Sequence, residues 1–360
     1  MDAQWLTGPE RPFTRFGERP AFREGLYRLG SNTYAWMVPN GSWGETNIGL
    51  IDCAGKSVLV DTCWDLKFTR EMLHGARDIL QQSPVEYVVN THADGDHCWG
   101  NAQFPHSEII ASHACIHQMR HFNPAALRAL GISGKLLKSL PASRVSKFGH
   151  YMHHMFQPYD FGEVRIVPAN QGFSGQKAVS VNGVEILLYE VGPGHTDGDT
   201  IVYVPSQGVL YAADILFINA TPVMWAGPVE NLVAGLKRLL EFDAKVFVPG
   251  HGPLANRYDI QLLLDYWEFI QEALHKRMQQ GMGPFEAAKD VVMSKAFRES
   301  PFAGWDSPER IVTNAFTLYR GWGEKLPKLP GNLGVINIMR QQAELAFALP
   351  EAKPQIMRQF

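Results

Sequence analysis

Cysteine is scarce: Cys53, Cys63, Cys98 and Cys115 are the only four in 360 residues, and none stands in CxxC spacing. That excludes a disulfide-stapled scaffold and predicts reduced, buried thiols, Cys98 beside His97 included. Long apolar runs are missing too. The most apolar stretch, Val209–Trp225, is broken by Asp214 and Asn219 and is too short and polar to span a bilayer. Charge of one sign is not in excess, since 33 Lys and Arg against 36 Asp and Glu leave a net −3 at pH 7. No overall field therefore recruits nucleic acid or an anionic membrane, although a local field is compatible with this balance. The N-terminal MDAQWLTGPERPFTRFGERP lacks the unbroken apolar core of a secretory signal. Also absent are the nucleophile elbow GxSxG, a Walker loop and a well-placed dinucleotide fingerprint, which removes serine-hydrolase and nucleotide chemistry. The expectation is a soluble, cytoplasmic protein acting on a small molecule.

What is present is a hydrophobic content of 45%, enough to fill the core of a large domain. Between Tyr27 and Thr62 the runs TYAWMV, IGLIDC and SVLVDT, separated by turn residues, predict a β-meander. A helical repeat through Met72, Leu73, Ala76, Ile79 and Leu80 follows, stopped by Ser83-Pro84. Further strands are expected at VEYVVN, VRIVPA, AVSVNG, VEILLYEV, TIVYVP, GVLYAAD and AKVFVP, with a helix over Val229–Leu240. Past His251 the pattern turns helical, with segments at Ile260–Met278, from Pro284, and after Ser307-Pro308 as N-cap and first helical position. One segment is odd in charge. No carboxylate occurs between Glu108 and Asp160, while Arg120, Arg128, Lys135, Lys138, Arg144 and Lys147 accumulate there beside six histidines. It reads either as a lid that holds an anionic substrate or as a solvated helical face.

Four motifs carry chemistry, each at the end of an expected strand. They are Thr91-His92-Ala93-Asp94-Gly95-Asp96-His97, Gly194-His195-Thr196-Asp197-Gly198-Asp199, Asp214 and Pro249-Gly250-His251-Gly252. Neutral imidazoles and carboxylates converging on a point are the donors a divalent zinc, iron or manganese ion needs. Gly95 is expected to let the backbone bend tightly. Asp61 is placed to orient a ligating ring; Asp199 reads as a turn residue or a support to a ligand, Thr196 and Asn219 as pocket lining, and Trp99 and Trp225 as either an apolar wall or buried core.

This order of motifs resembles the metallo-β-lactamase superfamily, whose pattern is HxHxDH, a distant His, a bridging Asp and a final His; the supporting phrases are NIGLIDC, SVLVDT, VVNTH, GHTDGD and VPGHG. The resemblance implies an αββα four-layer sandwich over residues 1–255, with a basic, helical lid insertion near 113–160 and a helical extension over 256–360. It implies two divalent metal ions: His92 and His195 at site one, Asp96, His97 and His251 at site two, and Asp214 bridging. Position 94 departs from the family pattern, with Asp where the second His stands. If Asp94 ligates at site one, three carboxylates face two ions, leaving +1 instead of +2, which weakens water activation and favours harder ions such as iron or manganese. Asp94 and Asp96 are thus the expected catalytic carboxylates. The implied activity is metal-dependent hydrolysis of an ester, thioester, lactone, lactam or phospho- or sulfo-ester by an activated hydroxide; a diiron oxygenase or oxidase, a branch that carries a carboxylate here, is the alternative. A homodimer through the C-terminal helices is a further expectation.

Overall fold

The computed structural model describes residues 3–141, 143–326 and 333–349, so the last eleven residues of the expected extension lie outside it. An eight-stranded sheet runs β1 (Gln4–Thr7), β2 (Gly25–Arg28), β3 (Thr33–Met37), β4 (Ile48–Asp52), β5 (Ser57–Val60), β6 (Val85–Val89), β7 (Glu108–Ser112) and β8 (Gln171–Phe173) in spatial order. A five-stranded sheet is formed by β9 (Gln176–Val181), β10 (Val184–Glu190), β11 (Thr200–Val204), β12 (Val209–Phe217) and β13 (Val246–His251), in the order β13-β12-β11-β10-β9.

Alternation along the strands decides the layering, because successive side chains leave opposite faces. Ala35, Met37, Val58 and Val60 meet Ile186, Leu188, Val209 and Tyr211 between the sheets. Tyr34, Trp36 and Leu59 face outward onto helix Leu66–Gly75 and its neighbours. Leu210 and Ala212 face the other way, onto helices Val229–Leu239 and Arg257–Gln279. Helix, sheet, sheet and helix therefore stack as an αββα sandwich.

The C-terminal helices Arg257–Gln279, Pro284–Met293 and Ile311–Gly321 share one core with the outer face of the second sheet. The basic segment forms the helices His113–Met119, Pro124–Leu137 and Arg144–Phe156. Its last two helices make an antiparallel hairpin that buries Phe148, Tyr151, Met152, Met155 and Phe156 and leaves Arg128, Lys135 and Arg144 exposed. It is thus a packed hairpin with a solvated outer face.

Three local expectations are corrected. VRIVPA forms no strand, because pairing with β7 begins only at Asn170 and the Val167 carbonyl accepts instead from Asn101 Nδ2 at 2.9 Å. Ser307 does not cap: it sits at φ 56°, its hydroxyl donates to Asp306, and a 3₁₀ turn Pro308–Arg310 precedes the helix. The strand GVLYAAD continues to Phe217, so Asp214 lies within it, beside a bulge at Ala213 with φ 47°.

Candidate metal centre

The strand ends are drawn together by cross-sheet bonds. Asn47 Nδ2 donates to the carbonyls of Pro249 and Gly252, its backbone N–H to Gly250, and Thr200 N–H to the Thr91 carbonyl. Buried backbone groups require such partners. Here they also lock β13 and the loop before β4 in register around the motifs.

Asp214 is the hub. Its carboxylate lies 3.2 Å from His97 Nε2, 3.3 Å from His195 Nε2, 3.4 Å from His251 Nε2 and 3.8 Å from His92 Nε2. Two triads flank it: His92, Asp94 and His195, and Asp96, His97 and His251, each with donor atoms within 4.8 Å of one another. Asp94 Oδ2 sits 3.2 Å from His195 Nε2, so the residue that departs from the family pattern lies within the first of these triads. All seven residues are brought to one place.

The imidazoles are oriented by their far nitrogens. His97 Nδ1–H donates to Asp61 at 2.9 Å, His195 Nδ1–H to the Val223 carbonyl at 2.6 Å and His251 Nδ1–H to the Glu45 carbonyl at 3.1 Å. Thr91 donates its hydroxyl to Asp61 at 2.7 Å and accepts from His92 Nδ1–H at 3.0 Å. Each ring therefore turns its Nε2 lone pair to the centre. His92 Nε2, His97 Nε2 and Asp214 Oδ1 are buried without a hydrogen-bond partner. Buried polar atoms are rarely left so, and a divalent cation satisfies all three.

The electrostatics agree. Burial lowers the His97 and His195 pKa values, but Asp214 with Asp96 and Asp61 holds His97 well above its usual range, and Asp214 with Asp94 brings His195 to about 9. Burial pushes Asp214 upward, yet His251, His97 and His195 hold it well below the carboxylate range. Burial and the neighbouring imidazoles depress His92. The centre stabilises positive charge, which a bound cation supplies without protons.

Other expected residues fall into smaller roles. Asp199 caps its own turn, accepting from Thr196 N–H and hydroxyl; Thr196 is buried and so does not line an open pocket. Asn219 is exposed and Trp99 is core. Gly95 is required for contact rather than for a bend: a Cβ there would lie 2.5 Å from Trp99 and 2.7 Å from Trp64 Nε1. The four cysteines are buried and unpaired, and burial pushes the Cys98 thiol well up.

Residues that the motifs did not reveal complete the site. Thr46 donates its hydroxyl to Asp96 Oδ2 at 2.7 Å. Asn314, on the C-terminal helix Ile311–Gly321, accepts from Met224 N–H and donates to the Pro222 carbonyl, both at 2.9 Å. It thereby clamps the strap whose Val223 carbonyl holds His195. No local pattern marks either residue. Trp43 and Trp225 are half-buried: Trp43 meets Tyr151 edge-on at 6.2 Å, and Trp225 N–H donates to the His195 carbonyl at 2.8 Å.

Over 263 residues the chain is 25% identical to the 2,4-dinitroanisole O-demethylase subunit alpha of a Nocardioides species, covering 68% of this chain and 67% of that protein. Over 267 residues it is 22% identical to a beta-lactamase-like protein 2 homolog of Caenorhabditis elegans, covering 72% of each. The solved stereoselective inverting sec-alkylsulfatase of a Pseudomonas species superposes with a TM-score of 0.63 at 17% identity, over 86% of this chain and 52% of the sulfatase, a likeness in fold. The chain spans about half of that enzyme's length. The sequence profile described as the metallo-beta-lactamase superfamily matches residues 41–251, from the loop before β4 to the last histidine. Fold, motif order and profile agree over more than half its length, and the chain belongs to the metallo-beta-lactamase superfamily.

Proposed function

We propose that the protein is a dinuclear metal-dependent hydrolase of a small molecule with an ester-type linkage, such as an ester, thioester, lactone, lactam, phosphoester or sulfoester. The observation that carries this reading is the pair of donor triads around Asp214, with Nε2 of His92 and His97 and Oδ1 of Asp214 buried and without a hydrogen bond. Site one would be His92, Asp94, His195 and Asp214; site two would be Asp96, His97, His251 and Asp214. When bound, two divalent ions acidify water and polarise the oxygen under attack.

The chain's own groups do the rest. Asp94 and Asp96 are the least buried of the seven, with side chains 23% and 14% exposed, so substrate approaches along their side. They accept protons from a water held there, while Thr46 fixes the rotamer of Asp96. Trp43 and Trp225 give an apolar body a surface to lie on and exclude bulk water. The name of the O-demethylase relative supports an oxygen-linked leaving group among these substrates.

One observation favours a second reading. Asp94 within site one gives a harder donor set, which suits iron and hence a diiron oxygenase or oxidase. Elemental analysis of protein purified without added metal, with turnover of a panel of aryl esters, phosphates and sulfates, tests both. Two ions per chain and hydrolysis that is lost on chelation and restored by metal are expected. Full hydrolysis by metal-stripped protein sinks the proposal. Iron with a ferric charge-transfer band and oxygen-dependent turnover selects the second reading.

A further inference from the structure

Among the described residues, ten large apolar side chains are exposed. Four surround one turn of the basic hairpin: Ile132 at 57%, Leu136 at 71%, Leu140 at 47% and Val145 at 48%. Three more, Leu333, Val335 and Ile336, lie on helix Leu333–Ala346, which packs on the second hairpin helix. The Arg144–Glu344 ion pair at 3.4 Å joins these two helices. Lone exposed apolar residues are ordinary, but clusters are not.

The hairpin segment's own charge is of one sign, and the Glu344 carboxylate beside it is taken up by Arg144 and Arg340. From residue 109 to 159 the chain carries no carboxylate, and Lys135, Lys138 and Arg144 interleave with the apolar residues at the turn. Arg144 alone of the six cations in this segment has an ion-pair partner among the described residues. A second copy of the chain seated here by two-fold symmetry would set like charges against each other. An apolar tip collared by cations instead matches an anionic bilayer, where leucines enter the headgroup boundary and each Lys or Arg contributes about 1 kcal/mol.

We propose that the turn of the hairpin Pro124–Leu137/Arg144–Phe156 docks the protein on an anionic phospholipid surface. The inference does not rest on the metal chemistry. The net −3 of the whole chain does not oppose it, since fields beyond about 10 Å are screened at ordinary ionic strength.

The test is co-sedimentation of the full chain with vesicles of phosphatidylcholine alone or with about one third phosphatidylglycerol. Binding to the anionic vesicles only, weakened by salt, is expected. The pairs Leu136→Glu/Leu140→Glu and Lys135→Glu/Lys138→Glu should each lower partitioning at least about tenfold, with melting temperature and hydrolysis of a water-soluble ester unchanged. Absence of binding, equal binding to both vesicles, or double variants that bind like the parent would overturn the proposal. So would a dimer in size-exclusion chromatography that the same substitutions split, which would assign the face to a second copy.

Discussion

Gly250 shows how little room the centre leaves. A Cβ at that position would fall 1.8 Å from Asp214 Oδ1, so Gly250→Ala must expel the hub carboxylate. The variant is expected to fold, by circular dichroism, yet to lose metal stoichiometry and at least about a hundredfold in turnover, in line with losing the group that four imidazoles share. Asp94 is where the proposed charge balance of the centre is tested. Asp94→His is expected to raise zinc occupancy and hydrolysis because it removes one negative charge from site one, and Asp94→Ala to empty that site; unchanged metal content in the alanine variant, read by elemental analysis, would show that Asp94 is no ligand. Asp61 accepts from both His97 and Thr91, so Asp61→Ala is expected to weaken metal binding by roughly 10- to 100-fold in a chelator-competition titration.

At the scale of elements, the centre depends on a strap inside the matched region and on a helix outside it. Residues 222–224 run past His195 and are held by Asn314, which is fully buried. Asn314→Ala leaves a buried N–H and a buried carbonyl unpaired, a cost of about 1–3 kcal/mol each at most. Its more telling effect is expected in metal affinity on the His195 side, where about a tenfold loss should appear even at temperatures far below unfolding. Three of the four donor motifs were legible because a chemically marked residue stands at a strand end; Asp214 was legible from the motif order, and the structure sets it inside its strand. Asn314, Thr46 and the carbonyls of Val223 and Glu45 were not, because an isolated polar residue or a backbone oxygen carries no periodic signal. The strand expected at VRIVPA failed for a related reason: apolar alternation marks a segment able to pair, while the edge of the sheet decides whether a partner is there.

Across the whole molecule, the hairpin and the C-terminal extension are tied by Tyr151, whose hydroxyl donates to Glu309 at 3.1 Å. Burial, with Asp306 nearby and against the pull of Arg310, pushes the Glu309 pKa from 4.5 to about 7. The native state then holds this proton over a range where the unfolded chain has released it. Its contribution is complete below pH 4.5 and is lost as pH rises to about 7. Glu309→Gln cannot titrate, so its stability relative to the parent is expected to improve by up to about 3 kcal/mol between pH 5 and pH 8, measured by urea unfolding at each pH. A flat difference across that range would show that Glu309 is ionised throughout. Removal of metal by chelator at neutral pH is expected to lower the melting temperature, because a ligand at a thousandfold its dissociation constant stabilises the native state by roughly 4 kcal/mol.

By itself the sequence determined the layered α/β class, the strands that deliver the donors and, through the family pattern that its motif order resembles, which seven side chains to expect at one centre. These are local properties: the period of apolar residues and the chemistry of what ends each strand. Only the tertiary structure decided that Asp94 faces His195, that Asp214 lies beside a bulge within its strand, that Asn314 holds the strap behind His195 from the far helices, and that Arg128, Lys135 and Arg144 of the hairpin are exposed. Those facts depend on contacts between residues distant along the chain, and no pattern along one segment encodes the face that another presents to it.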